Sequence, residues 1–151
     1  MRAILLREEQ IKSLIRQREP VILIDTFFKP ADPEYYTGLK ILPGNIFCRE
    51  DIFSAEGVIE HMAQSSAAML GYLAAGRNEQ VKTSYIGEIR DFELADNPRT
   101  GDFLETIIEI LSEVMDIILV KARSHIASRP VASCKMKLAI NRNVDRQLFY
   151  N

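Results

Sequence analysis

The chain has 151 residues, 47% hydrophobic and 26% charged, the balance of a globular protein folded as a single domain over residues 1–151. Its net charge of −2 excludes a general electrostatic attraction to nucleic acid or to an anionic membrane. Cys48 and Cys134 are too few for a disulfide framework and sit in no CxxC or Cys/His cluster. A reducing compartment is therefore expected, with no metal and no cofactor. The N-terminal stretch MRAILLREEQIKSLIRQ has only Ala3 to Leu6 as an apolar run before charges begin, unlike a signal peptide. No segment approaches the ~20 apolar residues of a membrane span, so a soluble, cytoplasmic protein is expected.

Residues 8–17, EEQIKSLIRQ, predict a short amphipathic helix with Ile11, Leu14 and Ile15 on one side, ended by Pro20. The apolar, β-branched run VILIDTFF (21–28) predicts a buried strand. After the turn KPADPE, YYTGLKIL (35–42) predicts a second strand, closed by Pro43 and Gly44. The irregular stretch NIFCREDIF (45–53) leads to Ser54, a good N-cap for a helix over about 55–75, ~30 Å long. Asp51 and Glu56 place negative charge near the positive end of that helix, and Gly76 is a fitting stop.

The second half of the chain is β in character. VKTSYIGEIRDFEL (81–94) and FLETIIEIL (103–111) are strand candidates separated by the turn chemistry of ADNPRTGD. IILVKARSHIA (117–127) alternates Ile118, Val120 and Ala122 with Lys121, Arg123 and His125. VASCKMKLAI (131–140) alternates Ala132, Cys134, Met136 and Leu138 with Ser133, Lys135 and Lys137. Long strands joined by short turns predict an antiparallel meander with one polar face. One long helix and one such sheet predict an α+β architecture in which the sheet wraps the helix.

The helix itself, GVIEHMAQSSAAMLGYLAAG (57–76), is apolar yet carries Glu60 and Gln64 near its start. At 3.6 residues per turn, Glu60, Gln64, Ala67 and Gly71 fall on one line. A mid-helix glutamate is commonly just solvated; a carboxylate beside an amide above small residues also fits a flank that meets something polar at close range.

The segments EPVILIDTF, YYTGLKILPGNIF, GVIEHMAQSSAAMLGYLAA and SYIGEIRDF, in that order, resemble the hotdog-fold 3-hydroxyacyl-acyl carrier protein dehydratases. The likeness runs from about residue 14 to 140 and is greatest to the shorter-loop relatives of aryl-polyene and pigment pathways. Its most specific piece is the helix IEHMAQSSAA. The resemblance implies a hotdog fold, a long central helix wrapped by an antiparallel β-sheet, paired into a dimer. It also implies sites at the dimer interface, with the helix glutamate and a loop histidine supplied by different subunits. Glu60 would then be catalytic and face a thioester tunnel, with Gln64, Phe47 and Gly57 as substrate-binding residues. The implied substrate is a thioester of acyl carrier protein or coenzyme A.

One departure stands out. Aligning Glu60 and Phe47 with the family pattern puts Asn45 where the catalytic histidine is expected, and residues 1–60 contain no histidine. Dehydration of a 3-hydroxyacyl thioester needs a base for the α-proton and an acid for the departing hydroxyl. An imidazole serves as both near neutral pH, whereas an amide only donates a hydrogen bond to a carbonyl. His61, next to Glu60 on the helix, points about 100° away from it, and His125 sits among lysine and arginine on a late strand. Both read as surface or interface histidines, and the cysteines as small buried hydrophobes. Three functions follow as expectations. One is a dehydratase-like enzyme in fatty-acid or polyene biosynthesis, its chemistry altered or completed by a partner. A second is a hotdog thioesterase using Glu60 and Asn45, and a third is a non-catalytic acyl-carrier-binding subunit of a hotdog heteromer.

Overall fold

Ser54 begins the long helix as its sequence position suggests, with its Oγ accepting a hydrogen bond from the Gly57 amide at 3.1 Å. The computed structural model describes residues 2–77 and 83–141. In chain order they form β1 (Ile4–Arg7), a 3₁₀ helix (Glu8–Ser13), β2 (Thr26–Phe28), β3 (Glu34–Lys40), β4 (Cys48–Arg49) and β5 (Ile52–Phe53). Then follow the helix α1 (Ala55–Gly76), β6 (Thr83–Leu94), β7 (Phe103–Val114), β8 (Ile117–Ile126) and β9 (Arg129–Asn141). The first two residues of the strand expected over 81–94 lie outside the described residues.

Seven strands form one antiparallel sheet in the order β1-β2-β3-β7-β8-β9-β6, and β4 and β5 form a small separate ribbon. The meander β7-β8-β9 matches the alternation in the sequence. Leu104, Ile108, Val120, Ala122, Cys134 and Met136 face inward and are buried, while Lys121, Arg123, Lys135 and Lys137 face out. The helix lies on the inner face and packs against β3, β6, β7 and β8. Val58, Met62, Ala68 and Met69 are the apolar residues it buries completely. Tyr72, half-buried, packs against this core with its ring 5.3 Å from Phe27 and 6.4 Å from Tyr35. No helix among the described residues is long and apolar enough to cross a membrane.

The N-terminal quarter differs from its sequence reading in three ways. Ile4–Arg7 is an edge strand paired with β2, although the stretch has no strand pattern of its own. The helix expected over 8–17 is a 3₁₀ helix over Glu8–Ser13, and the segment still buries Ile11, Leu14 and Ile15. It approaches α1 so closely that a Cβ added at Gly71 would collide with the Leu14 carbonyl. The strand expected over 21–28 is confined to Thr26–Phe28. Residues 21–24 form a strap across α1 instead, with Leu23 and Ile24 fully buried. Their apolar character is the same as that of a buried strand, but helix side chains satisfy the backbone rather than a ladder.

Candidate functional site

Gln64 is the centre of this strap's attachment. It is fully buried; its Oε1 accepts from the Leu23 amide at 2.6 Å, and its Nε2 donates to the Val21 carbonyl at 2.7 Å. The same Nε2 donates to Glu60 Oε1 at 3.1 Å, the i, i+4 contact expected from helical spacing. Glu60 is half-buried. Its carboxylate is therefore held at the helix flank by an amide that is itself fixed at both ends.

His61 points the other way, into the core, and is completely buried rather than at a surface. Its Nδ1 lies 2.7 Å from the Leu23 carbonyl and its Nε2 lies 2.8 Å from Thr106 Oγ1. A carbonyl only accepts, so Nδ1 carries the proton, Nε2 accepts from the Thr106 hydroxyl, and Thr106 accepts in turn from Ser124 at 2.5 Å. Burial lowers the His61 pKa to about 4, only partly opposed by the bond to the Leu23 carbonyl. It is a neutral structural imidazole at physiological pH. No sequence signal announces this, because Thr106 and Ser124 are distant in the chain and unremarkable in type. Thr37 and Ser65, 2.7 Å apart, extend the same buried polar layer.

Asn45 sits in the loop before the helix, just after Gly44, whose φ of +84° turns the chain. Its backbone carbonyl accepts from the Cys48 amide, and its Oδ1 accepts from the Phe47 amide at 2.9 Å. The side-chain NH₂ has no partner among the described residues, so it is available as a donor. The loop is fixed onto α1 through Phe47, whose carbonyl accepts from the Ser54 amide. The Phe47 and Phe53 rings pack edge to face, 6.4 Å apart, over the helix start. Gly57 lies beneath them: a Cβ there would come within 2.7 Å of the Phe53 ring and 2.9 Å of Phe47. An open groove of about 410 Å³ beside Asn45 is lined by Ile22, Ile24 and Leu39 together with the charged Glu8, Glu9, Lys12 and Glu19.

The structure thus brings Glu60 together with Gln64, and Asn45 with Phe47 and Gly57. Among the described residues no hydrogen bond joins Asn45 to Glu60. Neither histidine stands beside Glu60: His61 is locked in the core, and His125 is on the outer face, 3.5 Å from Glu105. Among the described residues no group of His, Cys, Asp or Glu could hold a metal ion. Cys134 is buried, its thiol pushed up to about 11 by desolvation, and Cys48 is half-buried beside Thr100.

A seven-stranded antiparallel sheet curled round one long helix, with a carboxylate on the helix flank, defines a hotdog-fold protein. The chain belongs to the ApeP-like family, described as the ApeP dehydratase, whose model matches residues 9–141. Among solved structures it is similar to a chain of the dehydratase heterocomplex ApeI:P from Xenorhabdus doucetiae, with a TM-score of 0.81 at 14% identity, covering 93% of this chain and 97% of that one. A hypothetical thioesterase from Streptococcus pneumoniae TIGR4, solved with coenzyme A, matches with a TM-score of 0.62 at 9% identity over 76% of this chain and 84% of its own. An uncharacterized protein from Pyrococcus horikoshii matches with a TM-score of 0.63 at 12% identity, over 94% and 96% of the two chains. No curated protein matches the chain at a significant level.

Proposed function

We propose that this chain is a dehydratase-type hotdog subunit acting on 3-hydroxyacyl thioesters of an acyl carrier protein, in a pathway that builds fatty or polyene chains. Glu60 is the acid-base carboxylate, Gln64 fixes it, and Asn45 donates a hydrogen bond from its free NH₂ to the thioester carbonyl. Phe47 and Gly57 shape the site beside it. The observation that carries this reading is the placement of Glu60. In a chain of a dehydratase family, a half-buried carboxylate is held in position with no imidazole beside it.

Removing the α-proton and protonating the departing hydroxyl takes an acid-base group that Asn45 does not provide. A second hotdog subunit carrying the loop histidine supplies it in this reading, in a cytoplasmic hetero-oligomer. The similarity to a chain of the Xenorhabdus doucetiae dehydratase heterocomplex supports such a pairing. The free Asn45 NH₂ also suits a thioesterase, in which it would polarise the carbonyl while Glu60 activates water or attacks.

The test is incubation of the chain, alone and with a second hotdog subunit, with 3-hydroxyacyl and saturated acyl thioesters of carrier protein. Enoyl product and released thiol are followed together. The dehydratase reading expects enoyl product that increases with the second subunit and is lost in Glu60→Gln. Asn45→His should raise dehydration by the chain alone by roughly 10²-fold or more. Thiol release that falls in Asn45→His would identify the thioesterase instead. Indifference of every activity to Glu60→Gln would remove Glu60 from the site and leave a binding subunit.

A further inference from the structure

The turn between β7 and β8 departs from ordinary turn chemistry. Met115 adopts a φ of +56°, a backbone conformation that favours glycine or asparagine, and its side chain is 88% exposed. Val114 and Ile117 pair across the hairpin beside it and are 67% and 41% exposed. Ile118 points into the core, so Ile117 and its partner Val114 stand on the outer face of the sheet, away from α1. The next outward row is polar: Lys137 on β9 and Glu88 on β6 lie 3.8 Å apart. The hairpin tip is therefore a contiguous apolar patch with a charged rim, the form of a surface that something covers.

The end of β9 lies beside this tip. Ala139 pairs with Ile117, and the Ile140 amide donates to the Asp116 carbonyl at 2.9 Å. β9 ends one residue later, at Asn141. The sequence that follows, RNVDRQLFYN (142–151), carries Val144, Leu148, Phe149 and Tyr150. At ~3.3 Å per extended residue it is far longer than the two strand spacings of ~4.8 Å that separate β9 from β7. A segment tethered this closely meets the patch at an effective concentration of about a millimolar, well above that of a second molecule in micromolar solution. β9 stands between the tip and the β6 edge, so strand pairing at that edge leaves the tip uncovered.

We propose that the hairpin tip formed by Val114, Met115 and Ile117 is a docking surface for the C-terminal segment 142–151 of the same chain, with Leu148 and Phe149 as its anchors. An unbranched methionine side chain moulds itself to an aromatic ring and gains a sulfur–aromatic contact, which gives Met115 a reason to occupy a turn position that glycine would fill with less strain. The surface is on the opposite face of the sheet from Glu60 and stands independently of the function proposed there.

The experiment is NMR of the full chain labelled with ¹³C at the methionine methyl groups, with Met62, Met69 and Met136, all fully buried, as internal controls. The Met115 methyl should show contacts to the Phe149 ring. In the double variant Leu148→Ser, Phe149→Ser the Met115 resonance should move toward that of free methionine while the three core signals stay in place. Met115 should also be oxidised by hydrogen peroxide several-fold faster in the double variant, because access governs that reaction. Removal of residues 142–151 should reproduce both changes. An unchanged Met115 resonance and oxidation rate in the double variant would overturn the proposal. So would a Met115–Phe149 contact that persists in a co-refolded sample whose labelled methionines and protonated phenylalanines are on different molecules, since a second copy would then supply the segment.

Discussion

His61 and Gln64 are neighbours on consecutive turns of one helix, and both commit their polar atoms to the strap at residues 21–23. The imidazole makes that attachment sensitive to acid. Its folded pKa of about 4 lies below the unfolded value of about 6.5, so the unfolded chain binds the extra proton in that window. The resulting stability is full above pH 6.5 and declines as pH falls toward 4, by about 3 kcal/mol in all. Urea unfolding at pH 7.5, 6 and 5 should reveal the decline, and His61→Gln should flatten it while lowering stability at pH 7.5. Gln64 is the stricter residue. Gln64→Leu leaves the buried Leu23 amide without a partner and releases the Val21 carbonyl, a loss of roughly 1–3 kcal/mol measurable by the same method. The pairing of Glu60 with Gln64 was legible from helical spacing alone. The burial of His61 was not, because nothing local distinguishes a histidine that will meet Thr106 across the core from one that will meet water.

At the level of elements, the sequence was most informative where one signal dominated. Ser54 and Gly76 bounded α1 almost to the residue, and the alternations in 117–127 and 131–140 marked β8 and β9 and their inward faces. Periodicity was silent where an apolar run is buried on all sides: VILID reads identically whether its backbone bonds go to a ladder or to side chains. The close approach of the 3₁₀ helix to α1 at Gly71 was likewise hidden, since it depends on a contact 57 positions away in the chain. Gly71→Ala should force the Leu14 carbonyl off the helix and destabilise by about 1–3 kcal/mol. Gly76→Ala, with nothing near its Cβ position, should change stability far less, and the two midpoints in thermal unfolding provide the comparison.

For the whole molecule, the sheet ends at β1 on one side and β6 on the other. The β6 edge is twelve residues long and exposes Tyr85, Ile86 and Ile89. Such an edge invites pairing with another chain. The loop beside Asn45 adds exposed Leu42, Ile46 and Ile52. We expect an obligate oligomer, at least a dimer, covering these surfaces. Ile89→Lys, which puts a charge on the β6 edge, should shift the protein toward monomer in light scattering at micromolar concentration. A wild-type chain that is monomeric under those conditions would count directly against this arrangement.

The strap at residues 21–24 also carries a kinetic consequence. A ladder opens only when several neighbouring bonds break together, whereas the Leu23 amide is released by rotation of one glutamine side chain. Although Leu23 is as deeply buried as the centre of β8, its amide proton should exchange with solvent deuterium through local opening, well ahead of the Val120 and Ala122 amides. Since the same rotation frees Glu60 from its tether, that exchange rate is a direct clock for how often the carboxylate is let go.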